Sequence, residues 1–575
     1  MVNHALGRWA LALAWAGLAC GISVSASQAP AAAGQSPGRS NEVGIPIQDK
    51  TVQAACGSCH RSDDKQQMSR ISFRRTTPEG WQETIKRMVA LNGLKIEPAA
   101  ARDVVKYLSD HLGLAPEEAR PAAYEVERRL GDDAYKSDNL EGVCNACHSL
   151  GRVIAQRRTR GEWEGLVAMH RGWYPLVDRQ VFRRMGPAPT GRDAEGRPPD
   201  TRHPMDKAID HLSAAFPLET AEWAAWSAAM RPARIGGQWA LTGHEPGQGD
   251  VYGRVVLTPV PNTDDEFTSD ITYTYARSGQ QVKRTGRVVI YTGYQWRGRS
   301  SVGGDDSTAA KEVMLVDRDW RGIDGRWFHG GYDETGIDVQ LRRVGGDTAI
   351  LGVDRSGLRQ GATQTVKIFV ANPPSALQAR DVDLGPGVTV TSASLAGDVI
   401  TAGVAIASTA TVGPRDVVIG GVVKPAALVV YDKVDALRVV PDWSMARTGG
   451  VSYPKMFTQF EAWAYQNGPD KKPGTDDDLR VGMVDAVWSL EEYTATFEDD
   501  DVNFVGSIDP ESGLFTPNVE GPNPKRVGQR NNVGDVWVVA TYRSPSEASA
   551  PPLRGRAHLL VTVPLYMRFD FSVTP

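Results

Sequence analysis

Apolar residues recur along this chain in two rhythms, and the change falls near residue 232. Before it, Trp81, Ile85 and Met88 lie at i, i+4 and i+7, one face of a helix. Trp163, Val167 and His170 repeat that spacing. After it, alternation takes over. Val251-Tyr252-Gly253-Arg254-Val255-Val256-Leu257, Ile271-Thr272-Tyr273-Thr274-Tyr275 and Arg287-Val288-Val289-Ile290-Tyr291 read as strands between Gly, Asp and Asn turns. They predict a barrel-like antiparallel domain over 233–346. Thr365-Val366-Lys367-Ile368-Phe369-Val370, the run from Val417 to Val423, and Ala427-Leu428-Val429-Val430-Tyr431 predict an immunoglobulin-like sandwich over 347–439. A last β domain, sandwich or barrel, is expected over 440–575 from Phe457-Thr458-Gln459-Phe460-Glu461-Ala462-Trp463-Ala464-Tyr465, from the run Val536 to Tyr542 and from the run His558 to Pro564. The fold class is therefore multidomain α + all-β, with the helical part over 42–232.

The first residues read as a targeting segment. Arg8 supplies positive charge, residues 9–19 are apolar, and Ser23-Val24-Ser25-Ala26-Ser27 is a small-residue stretch. That is the pattern of a secretory signal peptide over 1–27, cleaved near Ser27, which points to the periplasm. The apolar run is too short for a membrane span. Cys20 invites a lipoprotein reading, but Gly17 stands where a large aliphatic residue is wanted. A net charge of −5 and a pI near 6.1 leave no basic surplus for nucleic acid.

The chain has five cysteines. Cys20 leaves with the signal peptide, and the other four form two pairs of one spacing. Cys56-Gly57-Ser58-Cys59-His60 and Cys144-Asn145-Ala146-Cys147-His148 are both C-x-x-C-H. Two thiols at this spacing add to the two vinyl groups of one haem edge, and the adjacent histidine ligates the iron. A redox pair needs no following histidine. A four-thiolate zinc site would leave His60 and His148 unexplained. The expected cofactors on this chain are thus two covalently bound haem c groups, held by Cys56, Cys59, Cys144 and Cys147, with His60 and His148 as axial ligands.

The haem segment is duplicated. Each motif is followed by a basic stretch, a Trp and an amphipathic run, from Arg75 in the first copy and from Arg158 in the second. Met88 stands seven positions after Trp81, and His170 seven after Trp163. Equivalent positions thus hold the two commonest distal ligands, and the axial pairs are read as His60/Met88 and His148/His170. Packed core residues are the plain alternative, and Met68, His111, Met169, Met185, His203 and His211 are rival ligands. His111 and His211 also match between copies, in Asp110-His111-Leu112 and Asp210-His211-Leu212, and are given structural roles. Methionine ligation raises a haem's reduction potential, so electrons are expected to run from the second haem to the first.

The β regions carry no G-x-S-x-G, H-E-x-x-H or phosphate-binding loop. The acidic runs Asp476-Asp477-Asp478 and Glu498-Asp499-Asp500-Asp501 lack EF-hand spacing and read as solvated loops. No catalytic residue is expected on this chain.

The order of a signal peptide, a duplicated C-x-x-C-H domain with Trp-then-Met/His helices, and three β domains resembles the alpha subunit of quinohaemoprotein amine dehydrogenase. The resemblance spans the mature chain and is most specific from Cys56 to His170. It implies a heterotrimer with a β-propeller beta subunit and a small gamma subunit bearing cysteine tryptophylquinone. It also implies oxidation of primary amines at that quinone, and electron transfer through the haems to a soluble cytochrome c or cupredoxin. No mature thiol is left here to build the quinone, which agrees. Other readings of the residues are a di-haem subunit of a different periplasmic dehydrogenase, or a di-haem peroxidase with an open sixth site.

Overall fold

The computed structural model describes residues 42–124, 140, 144, 150–174, 177, 187, 190–192, 194–329, 335–449, 454–495, 498–544 and 549–563. The segment 1–27 with Cys20, and also Cys147, His148 and Met185, lie outside the described residues. What is described follows the expected order: a helical haem-binding region, then three β domains.

In the helical region, α1 (Lys50–Cys56) is capped by Asp49, whose carboxylate accepts from the Val52 amide. Helix α2 (Pro78–Asn92) starts at Thr77, whose hydroxyl accepts from the Gly80 amide, with proline at the first turn. It stops at Gly93, which takes the left-handed conformation with φ 71°. The helix Arg160–Trp173 starts the same way, with Thr159 accepting from the Glu162 amide. Trp81 and Trp163 are both buried. The Trp81 indole donates to the Leu112 carbonyl at 3.0 Å, and the Trp163 indole donates to the Phe216 carbonyl at 3.2 Å. Leu112 caps α3 (Pro98–His111), and Phe216 caps the helix Pro204–Ala215.

The duplication is therefore visible in space. The basic stretches are short strands: β1 (Arg74–Thr76) pairs antiparallel with β2 (Gln156–Arg158), setting Arg74 opposite Arg158 and Arg75 opposite Arg157. Leu112 and Phe216 are the equivalent residues, so the Asp-His-Leu triplets are not in register. His111 ends its helix, whereas His211 lies inside its own.

Strands β3 (Gly237–Glu245), β4 (Gly249–Pro259), β5 (Glu266–Tyr275), β6 (Gln281–Tyr291), β7 (Gln295–Val302), β8 (Asp305–Val316), β9 (Gly322–His329) and β10 (Gly336–Arg343) close into a barrel, β10 pairing with β3. Burial alternates along β5 as the pleat requires, Phe267, Ser269, Ile271, Tyr273 and Tyr275 pointing inward. Trp239, Trp296 and Trp327 fill the interior.

Two four-stranded sheets follow and pack face to face on Val366, Ile368, Ile400, Val404, Val417 and Val430. The run from Val417 to Val423 is not one strand. It is the end of Gly413–Ile419 and the start of Val422–Tyr431, joined at Gly420 and Gly421 with φ of 55° and 88°. Positive φ at both central residues is the tight hairpin turn that matches strand twist. The last domain holds three sheets around Phe460, Trp488, Phe515, Val536 and Leu559. Its first expected strand is broken at Phe460, between Thr458–Gln459 and Glu461–Gln466.

The helical region is pinned to the barrel. The Tyr294 hydroxyl donates to the Leu114 carbonyl at 2.9 Å, and the Thr292 amide donates to Asp110 at 2.6 Å. Arg297 of β7 meets Glu79 of α2 in a two-pronged ion pair. No helix among the described residues is long and apolar enough to cross a membrane.

Candidate haem-binding site

The first C-x-x-C-H sits where α1 unwinds. The Cys59 and His60 amides both donate to the Cys56 carbonyl, at 3.2 and 2.8 Å. That last turn brings Cys56, Cys59 and His60 to one side of the chain, three and four residues apart. Cys56 is buried and Cys59 exposed, and both thiols are free. Burial, with the neighbouring Cys59 adding to it, pushes the Cys56 thiol up. His60 Nδ1 donates to the Ser69 carbonyl at 2.9 Å. This fixes the ring and its tautomer and leaves Nε2 as the lone-pair nitrogen, the arrangement an axial haem histidine uses.

Met88 and His170 occupy the same place in equivalent helices, eleven residues after the capping Thr77 and Thr159. Both are half-buried. His170 Nδ1 donates to the Leu166 carbonyl at 2.8 Å, so its Nε2 is again the lone-pair nitrogen. Burial, and then the charges of Arg87 and Arg158, hold His170 below the usual histidine range. A neutral imidazole is the ligating form.

Three of the rivals have other places. Met68 is wholly buried in the core with Ile47, Val52 and Trp81. His203 caps the helix Pro204–Ala215, its Nδ1 accepting from the Met205 amide at 3.2 Å. His111 packs on Tyr107, with ring centres 4.3 Å apart. Cys144 lies half-buried against the core of Leu140, Leu150 and Trp163. The structure thus brings Cys56, Cys59 and His60 together and places Met88 and His170 as repeats of one another.

These residues fit haem on their chemistry: paired unbridged thiols, a carbonyl-held histidine beside them, and a soft thioether or neutral imidazole on each partner helix. Haem, when bound, supplies a one-electron carrier. Sequence reasoning missed Ser69, whose carbonyl orients His60, and the arginines of the β1–β2 ribbon. The basic stretch after each motif was their only sign.

Around this site the helical region is stitched by charge. Arg75, fully buried, donates to Glu118 at 2.8 and 3.0 Å and to the Gly113 and Leu218 carbonyls at 2.9 and 2.6 Å. Arg157 joins Glu118 at 3.0 Å. Burial opposes a charged Glu118, and the Arg75 and Arg157 guanidinium groups still hold its carboxyl below the usual range.

Four family models match along the chain. One, described as "Quinohemoprotein amine dehydrogenase A, alpha subunit, haem binding", matches residues 47–186. Those for domains II, III and IV of the same subunit match 232–344, 347–432 and 437–571. No curated protein matches the chain. Among solved structures, a redesigned beta barrel is 13% identical with a TM-score of 0.18, covering 20% of this chain and 97% of that chain. A de novo designed fluorescence-activating beta barrel is 16% identical with a TM-score of 0.17, covering 20% of this chain and 100% of that chain. A Bacteroides ovatus protein, SGBP-B of a mixed-linkage glucan utilization locus, is 11% identical with a TM-score of 0.17, covering 54% of this chain and 64% of that chain. The haem-binding model over the duplicated segment and the three β-domain models behind it are specific to one subunit of one enzyme, and on them the chain belongs to the quinohaemoprotein amine dehydrogenase alpha-subunit family.

Proposed function

We propose that this chain is the electron-transfer subunit of a periplasmic amine dehydrogenase. In this reading it takes electrons from primary-amine oxidation at a cysteine tryptophylquinone on a small gamma subunit, with a β-propeller beta subunit beside it, and delivers them to a soluble cytochrome c or cupredoxin. Family membership supports the enzyme class. The observation that carries the electron-transfer role is the pair of helices with Thr caps, Trp anchors and Met88 or His170 at one shared position.

The residues then divide the work. Cys56 and Cys59, and Cys144 and Cys147, hold one haem c each as thioethers. His60 and His148 are the near axial ligands, and Met88 and His170 the far ones. Ser69 and Leu166 carbonyls aim the His60 and His170 rings. Trp81 and Trp163 fix each far-ligand helix to the chain end of a neighbouring helix. The division 42–232, 233–346, 347–439 and 440–575 belongs to this reading. It is supported by a barrel that ends at Arg343 and a sandwich whose last strand ends at Tyr431.

The test is purification of the complex from its own periplasm, with mass spectrometry of each co-eluting chain and a primary amine added under anaerobic conditions. The reading expects two haem masses on this chain, a small cross-linked partner, and haem reduction on adding amine. A chain that elutes without such a partner, with haems that stay oxidised, overturns it.

A further inference from the structure

The β1–β2 ribbon sets two arginines on each of its faces, and the two faces are not alike. Arg75 and Arg157 share Glu118, as described. On the other face Arg74 lies opposite Arg158, and Arg70 and Arg87 close around them. Arg70 donates to Glu162 at 2.9 Å, and Arg158 stands 3.6 Å from the same carboxylate. Arg158 otherwise donates to the Gln156 side chain at 2.7 Å. Arg74 donates to the Thr84 hydroxyl at 2.6 Å, and Arg87 to that same hydroxyl at 3.2 Å. Glu83, near Arg87, is paired with Lys86 at 2.9 Å.

Among the described residues, Glu162 is therefore the carboxylate that Arg70, Arg74 and Arg158 share, while Glu83, already paired with Lys86, acts on Arg87. The Nε atoms of Arg74 and Arg87 are buried without a hydrogen-bond partner. Arg74 is 7% exposed and Arg158 4%. Buried charge and buried unpaired donors are costly unless matched. Arginine forks match carboxylates best. Crowding of like charge is felt inside the cluster: burial and then neighbouring arginines hold Arg74 well below the ordinary arginine range.

The place of the cluster names its anion. Arg70 follows Ser69, whose carbonyl holds His60. Arg87 precedes Met88 in α2, and Arg158 precedes Thr159, which caps the helix of His170. The cluster thus touches the segments that hold three of the four proposed axial ligands. We propose that Arg74, Arg87 and Arg158 are the seat of haem propionate carboxylates, at the seam between the two copies. This rests on the haem reading above. It also makes these arginines positioning residues that set potential, because a cation held beside the haem edge disfavours the oxidised, more positive iron.

The experiment uses the intact complex carrying Arg87→Gln, Arg87→Lys or Arg74→Gln on this chain. Haem content is measured first by mass, then each haem's midpoint potential by spectroelectrochemistry, and propionate modes by resonance Raman. With two haems retained, Arg87→Gln is expected to lower the potential of one haem, leave the other unmoved, and shift that haem's propionate modes. Arg87→Lys restores most of the potential. Two retained haems with unmoved potentials and unmoved propionate modes in Arg87→Gln overturn the proposal while the haem reading stands. An unaltered chain with no covalent haem overturns both. Arg87 is half-buried, so its variants test the idea even if Arg74→Gln does not fold.

Discussion

Arg297 on the barrel wall grips Glu79 in the first turn of α2 with two donors, and both side chains are largely closed off from solvent. Burial works against a charged Glu79, but the Arg297 charge and its hydrogen bonds hold the carboxyl down to about 2. The folded-state value is depressed from 4.5, so the contribution is complete above pH 4.5 and is lost as pH falls towards 2. Glu79→Gln should cost about 3 kcal/mol, since it strands a buried guanidinium. It should also remove that acid-dependent part. Denaturant midpoints at pH 3, 5 and 7 check this, and equal slopes for both proteins against pH would contradict it.

His244 makes the corresponding joint between the barrel and the last domain. Its Nδ1 meets Asp250 at 2.7 Å and its Nε2 meets Glu461 at 3.0 Å. Glu461 also accepts from the Gly247 amide at 2.8 Å and the Trp463 indole at 3.2 Å. Burial lowers the imidazole, yet the two carboxylates raise it to about 10. A raised folded-state value means the stabilisation is complete below about pH 6.5 and fades as pH rises to about 10. His244→Gln should lower the melting temperature at pH 6 and leave little difference from the parent at pH 10.

If Met88 and His170 are the far ligands, their loss should read differently. Met88→Leu should lower the potential of the first haem and abolish the thioether-to-iron charge-transfer band. His170→Ala should open the second haem to added imidazole or cyanide and turn it high-spin. Unchanged spectra in either variant would return that position to the core and reopen Met68 or Met169. In the parent, a redox titration should find the Met88 haem the higher of the two.

Gly421 sits at φ 88° in the hairpin turn of the second β domain, with open space where a side chain would go. Only the backbone conformation resists substitution there. Gly421→Ala should cost about 1–2 kcal/mol. It should leave the haem spectra unchanged, a separation that denaturation followed by Trp fluorescence and haem absorbance together can show.

What sequence could and could not reveal follows from range. Local pattern was legible: the helical spacing from Trp81 to Met88 and from Trp163 to His170, and the alternation along β5. Long-range pairing was not. Arg74 and Arg158 are each ordinary basic residues ahead of a helix, and only their pairing across the two copies makes a strand of them. The Asp-His-Leu triplets misled because likeness of three letters outweighed helix length. Leu112 and Phe216, unlike as residues, are the true counterparts because each offers its carbonyl to a buried indole. The Gly420-Gly421 turn was hidden inside a run of valines that reads as one strand.

The ribbon of β1 and β2 also makes the two copies depend on each other. Its strands come from equivalent places in the two copies, so neither copy has a partner for its short strand without the other. A chain cut between the copies would leave Arg75 without Arg157 at Glu118, and Arg74 without Arg158 across the ribbon. The two halves descend from one pattern, but they are completed as a single object.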